Sequence, residues 1–136
     1  AIAAREGENL DIESFKAGKY TVGTQRGCTA AMWIEDNLIK NGILPKDKLK
    51  LYDNFPLAVN DLINGRVQVA MMDEPVVTKA IAGKPLVKIG VISTGEEYGI
   101  AVRKEDTELK ELLNEGLKKL MASPFWEELM VKYEMK

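Results

Sequence analysis

The chain has 136 residues, 46% of them apolar, which bounds it to one domain, or one domain plus an appendage, with material for a real core. Net charge is −2 with both signs mixed along the chain; there is no basic stripe, aromatics are 7%, and no apolar run reaches membrane-span length, which excludes nucleic-acid binding and a transmembrane helix. A single cysteine excludes an internal disulfide, and the absence of histidine excludes a catalytic triad, a zinc site and His-based acid–base chemistry within this chain.

Residues 1–5 (AIAAR) read as a strand already under way at Ala1. No leader precedes it, so the expectation is a processed or excised chain. Residues 11–15 (DIESF) can cap and form a short helix, closed by Ala17 and Gly18. The stretch that organises the rest is 20–37, YTVGTQRGCTAAMWIEDN. Tyr20, Val22 and Thr24 alternate with Thr21 and Gly23 as in a strand. Gly27 then suits a tight turn, and Thr29 suits the N-cap of a helix. In that helix Ala31, Ile34 and Leu38 share a face opposite Asp36 and Lys40, and Gly42 stands where a C-terminal glycine belongs. Trp33 falls on the polar side, so it packs on a neighbouring segment or is partly exposed.

Residues 49–52 (LKLY) form a further strand, and Asn54 can cap a helix from about Pro56 that Gly65 ends. Residues 67–72 (VQVAMM) carry few polar groups, as in strands covered on both faces. Asp73 caps the next helix, with Pro75 in its first turn and Gly83 beyond its end; residues 86–91 (LVKIGV) are another strand. Strands alternating with helices of this length predict an α/β lobe: a mixed, mostly parallel sheet with helices on both faces.

Residues 98–103 (YGIAVR) read as one more strand. Two helices then follow with no strand between them. Leu109, Leu112, Leu113, Leu117, Leu120 and Met121 make the apolar stripe of the first, with Gly116 in it as a mark of close helix contact. Ser123 and Pro124 start the second, whose apolar side is Phe125, Trp126, Leu129, Met130 and Tyr133. The break in rhythm divides the chain into 1–98 and 99–136.

In open α/β sheets ligands bind at the carboxyl ends of the strands. Two segments carry special residues there: 25–30, where Gln25 leads into Gly27, and Asp73. A glycine turn opening a helix points backbone N–H groups at an anion, and a carboxylate at a strand end favours a cation. Facing one crevice, they suit a zwitterion, and a free amino acid is the obvious candidate. For Asp73 the competing reading is simple helix capping, for which Asp-x-Pro is a good sequence. Glu96 and Glu97 are adjacent, and neighbours on a strand point to opposite faces, so they are not an acid–base pair. Cys28 has no histidine or second cysteine to work with, which argues against a nucleophile.

Four stretches together resemble the second half of a type II periplasmic binding protein, the family 3 extracellular solute-binding proteins of polar amino-acid ABC transporters. AIAAREG with IESFKAGKYTVGTQRG is similar to the strand leaving the first hinge, a short helix and the segment VGVQ-x-G-T-T. NFPLAVNDLINGRVQVAMMDEP resembles the helix ending L-x-x-G-x-(V/D)-x-A and the strand ending in Asp. GEEYGIAVRKEDTELKELLNEGLKKL resembles the second hinge strand with its helix, and SPFWEELMVKYE the final helix.

The resemblance implies binding without chemistry, no cofactor and no metal. It implies a ligand carboxylate held at Gly27, Cys28, Thr29 and Ala30, next to Gln25, with Cys28 in place of the usual Thr or Ser so that one hydroxyl is absent. It implies a ligand ammonium held by Asp73, and hinges near Ala1 and Ile2 and near Glu97, Tyr98 and Gly99. It places the protein in the periplasm or outside the cell, with a membrane tether allowed, and gives it the membrane subunits of an ABC transporter as partners. The family's first lobe, about a hundred residues before the hinge, has no counterpart here. The expectation is therefore a fragment, or a homodimer that covers the leucine stripe of the C-terminal helices. Alternatives are the ligand-sensing domain of a membrane receptor, a dehydratase-like enzyme using Glu96 or Glu97, and the related lobe of sulfonate or thiamine-precursor binders.

Overall fold

The structure, a computed structural model, describes residues 1–133 and 135. It divides into two compact units, Ala1–Thr94 and Gly95–Lys136.

The first unit is built on a mixed five-stranded sheet of order β3-β2-β4-β1-β5. The strands are β1 (Ile2–Arg5), β2 (Val22–Gln25), β3 (Leu49–Tyr52), β4 (Val69–Met71) and β5 (Leu86–Gly90). β2 runs parallel to β3 and β4, and β1 runs antiparallel to β4 and β5. The period-two rule sorts the side chains into two layers. Ile2, Ala4, Val22, Val69 and Met71 face one layer, with Phe15, Ile34 and Leu38. That layer is covered by α1 (Ile12–Lys16) and α2 (Thr29–Ile34), which continues as a π turn, Glu35–Ile39. Ala3, Val67 and Ala70 face the other layer, with Phe55, Ala58, Leu62 and Val77. These come from α3 (Phe55–Ile63) and α4 (Glu74–Ile81). The sheet is thus covered on both sides, and β4 is buried along its whole length. Each fully buried Ile, Leu or Val side chain here is worth about 1.5–3 kcal/mol relative to exposure.

Small residues set the layer spacing. A Cβ on Gly23 would lie 3.1 Å from the Tyr52 ring and 3.3 Å from Val67, so α3 and its neighbours sit directly on β2. Trp33 stacks on Phe15 with ring centroids 6.5 Å apart, which resolves its place on the polar side of α2. The Arg5 guanidinium donates from Nη1 to the Leu62 carbonyl and to the Val67 carbonyl at 2.9 Å, closing the C-terminal end of α3.

The second unit contains α5 (Thr107–Met121) and α6 (Pro124–Lys132). Pro124 occupies the first turn of α6, and the Ser123 hydroxyl donates to the Leu120 carbonyl at 2.7 Å. Leu113, Leu120, Trp126, Leu129 and Met130 are half-buried, while Leu109, Leu112, Leu117 and Met121 remain exposed. No described residue of this unit is fully buried.

Three sequence expectations are corrected. Residues 98–103 do not form a strand: a strand exists by pairing, and no described strand pairs with them. Cys28, not Thr29, is the N-cap of α2, and Thr29 is its first helical residue. Gly116 marks no close contact, since no described atom lies within 4 Å of the place its Cβ would occupy.

Candidate functional site

The parallel strands β2, β3 and β4 end at one edge of the sheet. Gln25 is in register with Tyr52, and Gly23 with Ala70, so residues 26–28, 53–54 and 72–73 all emerge together. Helices α2, α3 and α4 all begin at this edge, with their N-terminal dipole ends toward it. The Arg26 amide donates to the Tyr52 carbonyl at 2.8 Å, which pins the turn after β2 to the end of β3. Gly27 then takes φ 71°, a left-handed conformation that favours glycine. Space beside it is open: no described atom lies within 4 Å of where a Cβ would sit. Cys28 follows in extended geometry as N-cap, with its thiol donating to the Gln25 carbonyl at 3.0 Å instead of capping. Ala30 is buried, so what it can offer a ligand is backbone alone.

Asp73 stands at the other parallel strand end, half-buried, as N-cap of α4. Its side chain makes no capping hydrogen bond, although Pro75 sits in the first turn as expected. The simple-capping reading of Asp73 therefore fails. Asn54 differs: its Oδ1 accepts from the Leu57 amide at 3.2 Å and caps α3 in the ordinary way. Ala1 and Ile2 lie at the same edge as Asp73, since Ile2 pairs with Met71 and the Met72 amide donates to the Ala1 carbonyl at 3.1 Å. Glu97, Tyr98 and Gly99 belong to the second unit and are exposed in an irregular segment. Met71 is core, and Met72 packs against the same layer as α3 and α4.

Other charged groups at this edge are paired. Arg26 Nε lies 3.8 Å from Asp53 Oδ1, and both side chains are exposed. Lys88 Nζ lies 2.5 Å from Glu74 Oε1; that hydrogen bond holds the Glu74 carboxyl below its ordinary range. Beneath the rim, burial and a hydrogen bond to Asp61 push the Tyr52 phenol up to about 12. Among the described residues no group of three His, Cys, Asp or Glu side chains could hold a metal. No helix among them is long and apolar enough to cross a membrane. Sequence reasoning missed Thr24, which is fully buried and links the two halves of this edge. The signal was available: a polar residue on an inward position of a strand, where the resembled motif has valine.

Two strand-end segments of this kind lie on a doubly covered mixed sheet whose parallel strands share one carboxyl edge. No family model matches the chain. Across 97% of its length it is 31% identical to an Escherichia coli (strain K12) protein described as an arginine-binding protein of an ABC transporter, covering 54% of that protein. It superposes on the structure of an ancestral arginine-binding protein bound to arginine with a TM-score of 0.76 and 28% identity, over 98% of this chain and 58% of that one. It also matches the crystal structure of domain 2 from TmArgBP, with a TM-score of 0.56 and 25% identity, over 68% of this chain and 97% of that domain. The chain's homologues are thus periplasmic amino-acid-binding proteins, and it spans about half the length of the curated relatives it matches.

Proposed function

We propose that the chain is the second ligand-binding lobe, with the C-terminal helical pair, of a family 3 extracellular solute-binding protein. In this reading it binds a polar amino acid outside the cytoplasm and delivers it to the membrane subunits of an ABC transporter, without catalysing a reaction. The observation that carries the reading is the emergence of the Gly27–Cys28 turn and Asp73 from neighbouring parallel strands, β2 and β4. The turn and the first turn of α2 take the ligand carboxylate through backbone N–H groups and the Thr29 hydroxyl. Asp73 takes the ammonium. A cationic amino acid of the arginine type is the preferred ligand, because relatives are named for arginine and the Asp73 carboxylate lies at this rim.

Titration of the labelled chain with L-arginine, followed by amide chemical shifts, tests this. Shifts should concentrate at residues 25–30 and at Asp73, and Asp73→Asn should abolish them. Saturating L-arginine that moves none of these amides would remove the site.

The same reading gives the chain a homodimer through α5 and α6. It is supported by the exposure of Leu117 (38%) and Met121 (54%), one turn apart on one face of α5, an arrangement that isolated soluble helices do not keep uncovered.

A further inference from the structure

We infer that Thr24 is a positioning residue which fixes the carboxylate-binding turn relative to Asp73; this rests on the amino-acid-binding reading above. Thr24 is fully buried, and a buried hydroxyl is costly unless it is bonded. Its Oγ1 donates to the Met71 carbonyl at 2.7 Å. Met71 is the last residue of β4, two residues before Asp73, and Thr24 lies four residues before Cys28. β2 and β4 are matched by Val22 with Val69 and Gly23 with Ala70, and no matched pair follows. Further on, the Arg26 amide turns away to the Tyr52 carbonyl on the opposite neighbour. The hydroxyl therefore supplies a cross-strand bond where the backbone ladder has ended, at the level where the two halves of the site diverge.

The same oxygen also holds the turn. Cys28 Sγ donates to the Gln25 carbonyl at 3.0 Å and lies 3.4 Å from Thr24 Oγ1, so the thiol is held between the two oxygens. This draws the Cys28 side chain inward beneath the turn and leaves the backbone of residues 27–29 to face the ligand. Thr24 and Cys28 are the two departures from the resembled VGVQ-x-G-T-T pattern, and they touch each other. A hydroxyl absent from the turn itself is present one layer below it, bonded to the strand that carries Asp73.

The test uses the 136-residue chain and its single thiol. Thr24→Val keeps the shape and removes the hydroxyl; Thr24→Ser keeps the hydroxyl. In Thr24→Val the iodoacetamide alkylation rate of Cys28 should rise roughly fivefold, the worth of one neutral hydrogen bond. The Met72 and Asp73 amide shifts should move, and L-arginine should bind about fivefold more weakly. Thr24→Ser should restore all three. A Thr24→Val chain with wild-type alkylation and unmoved Asp73 overturns the inference, whatever arginine does. Faster alkylation in Thr24→Ser overturns it too, even if the valine variant does not fold. A wild-type chain that ignores arginine, alongside the expected alkylation and shift changes, instead defeats the amino-acid reading and leaves the positioning role standing.

Discussion

The Tyr52 phenol donates a 2.8 Å hydrogen bond to Asp61 Oδ2, while Arg66 Nη1 holds Asp61 Oδ1 at 2.9 Å. The pair ties the end of β3 to the last turn of α3, directly beneath the strand end that anchors Arg26. Burial first, and the bond to Asp61 second, push the phenol up to about 12. The neutral phenol is thus favoured by folding. Its contribution is complete below the ordinary tyrosine range near 10 and is lost as pH rises from there through about 12. Tyr52→Phe should lower stability at pH 8 and flatten the fall between pH 10 and 12. Urea midpoints of both proteins across that range check it; parallel curves would show that Tyr52 does not titrate with folding.

Asp73 and Asn54 occupy the same N-cap position on neighbouring helices, and only Asn54 caps with its side chain. Asn54→Ala should cost about 1 kcal/mol, the usual worth of a cap. Asp73→Ala should lose no capping energy, since its side chain makes no cap bond. The same Asp73 variant should lose L-arginine binding. Denaturant melts paired with calorimetry separate the two effects. A full capping loss at Asp73 would return that residue to a structural role.

Gly18 and Gly27 have nearly equal positive φ, 72° and 71°, but unlike surroundings. A Cβ on Gly18 would collide with the Ile43 carbonyl oxygen, whereas one on Gly27 would meet open space. Gly27→Ala should cost only the left-handed backbone penalty, about 1–2 kcal/mol. Gly18→Ala adds a backbone collision and should exceed about 3 kcal/mol or prevent folding. Thermal melts rank them. Where the chain folds, Gly27→Ala should also weaken L-arginine binding, because it crowds the turn that meets the carboxylate.

The strands β1 and β4, the cap at Asn54 and the proline-started helices were legible because each is local. Ile2 and Ala3 point to opposite layers for the same reason that their neighbours in sequence do. The joint emergence of residues 26–28 and 72–73 was legible once the lobe was read as α/β, since parallel strands share a carboxyl edge. What failed was non-local. Residues 98–103 have strand composition but no described partner strand, and pairing is not written in composition. The Thr24–Met71 bond joins residues 47 apart, and an inward polar residue on β2 signals a buried partner without saying which strand supplies it. Thr29 suits an N-cap by residue type, but the turn through the left-handed Gly27 sets the cap one residue earlier, at Cys28.

Leu112 on α5 is 68% exposed, and Leu109, Leu117 and Met121 are exposed on the same helix. α6 adds exposed Phe125 and Val131. Burying such side chains against a second copy would gain about 1 kcal/mol or more for each, set against the cost of association. Leu112→Glu places a charge one turn from the exposed Leu109 without disturbing a buried residue, since no described residue of the second unit is fully buried. It should therefore leave helical circular dichroism unchanged and convert a two-chain sedimenting species into a one-chain species. A wild-type chain that already sediments as a single copy would discard the homodimer. The α5 face would then require a different cover, and a separately supplied first lobe from an arginine-binding relative could be tested for binding that Leu112→Glu blocks.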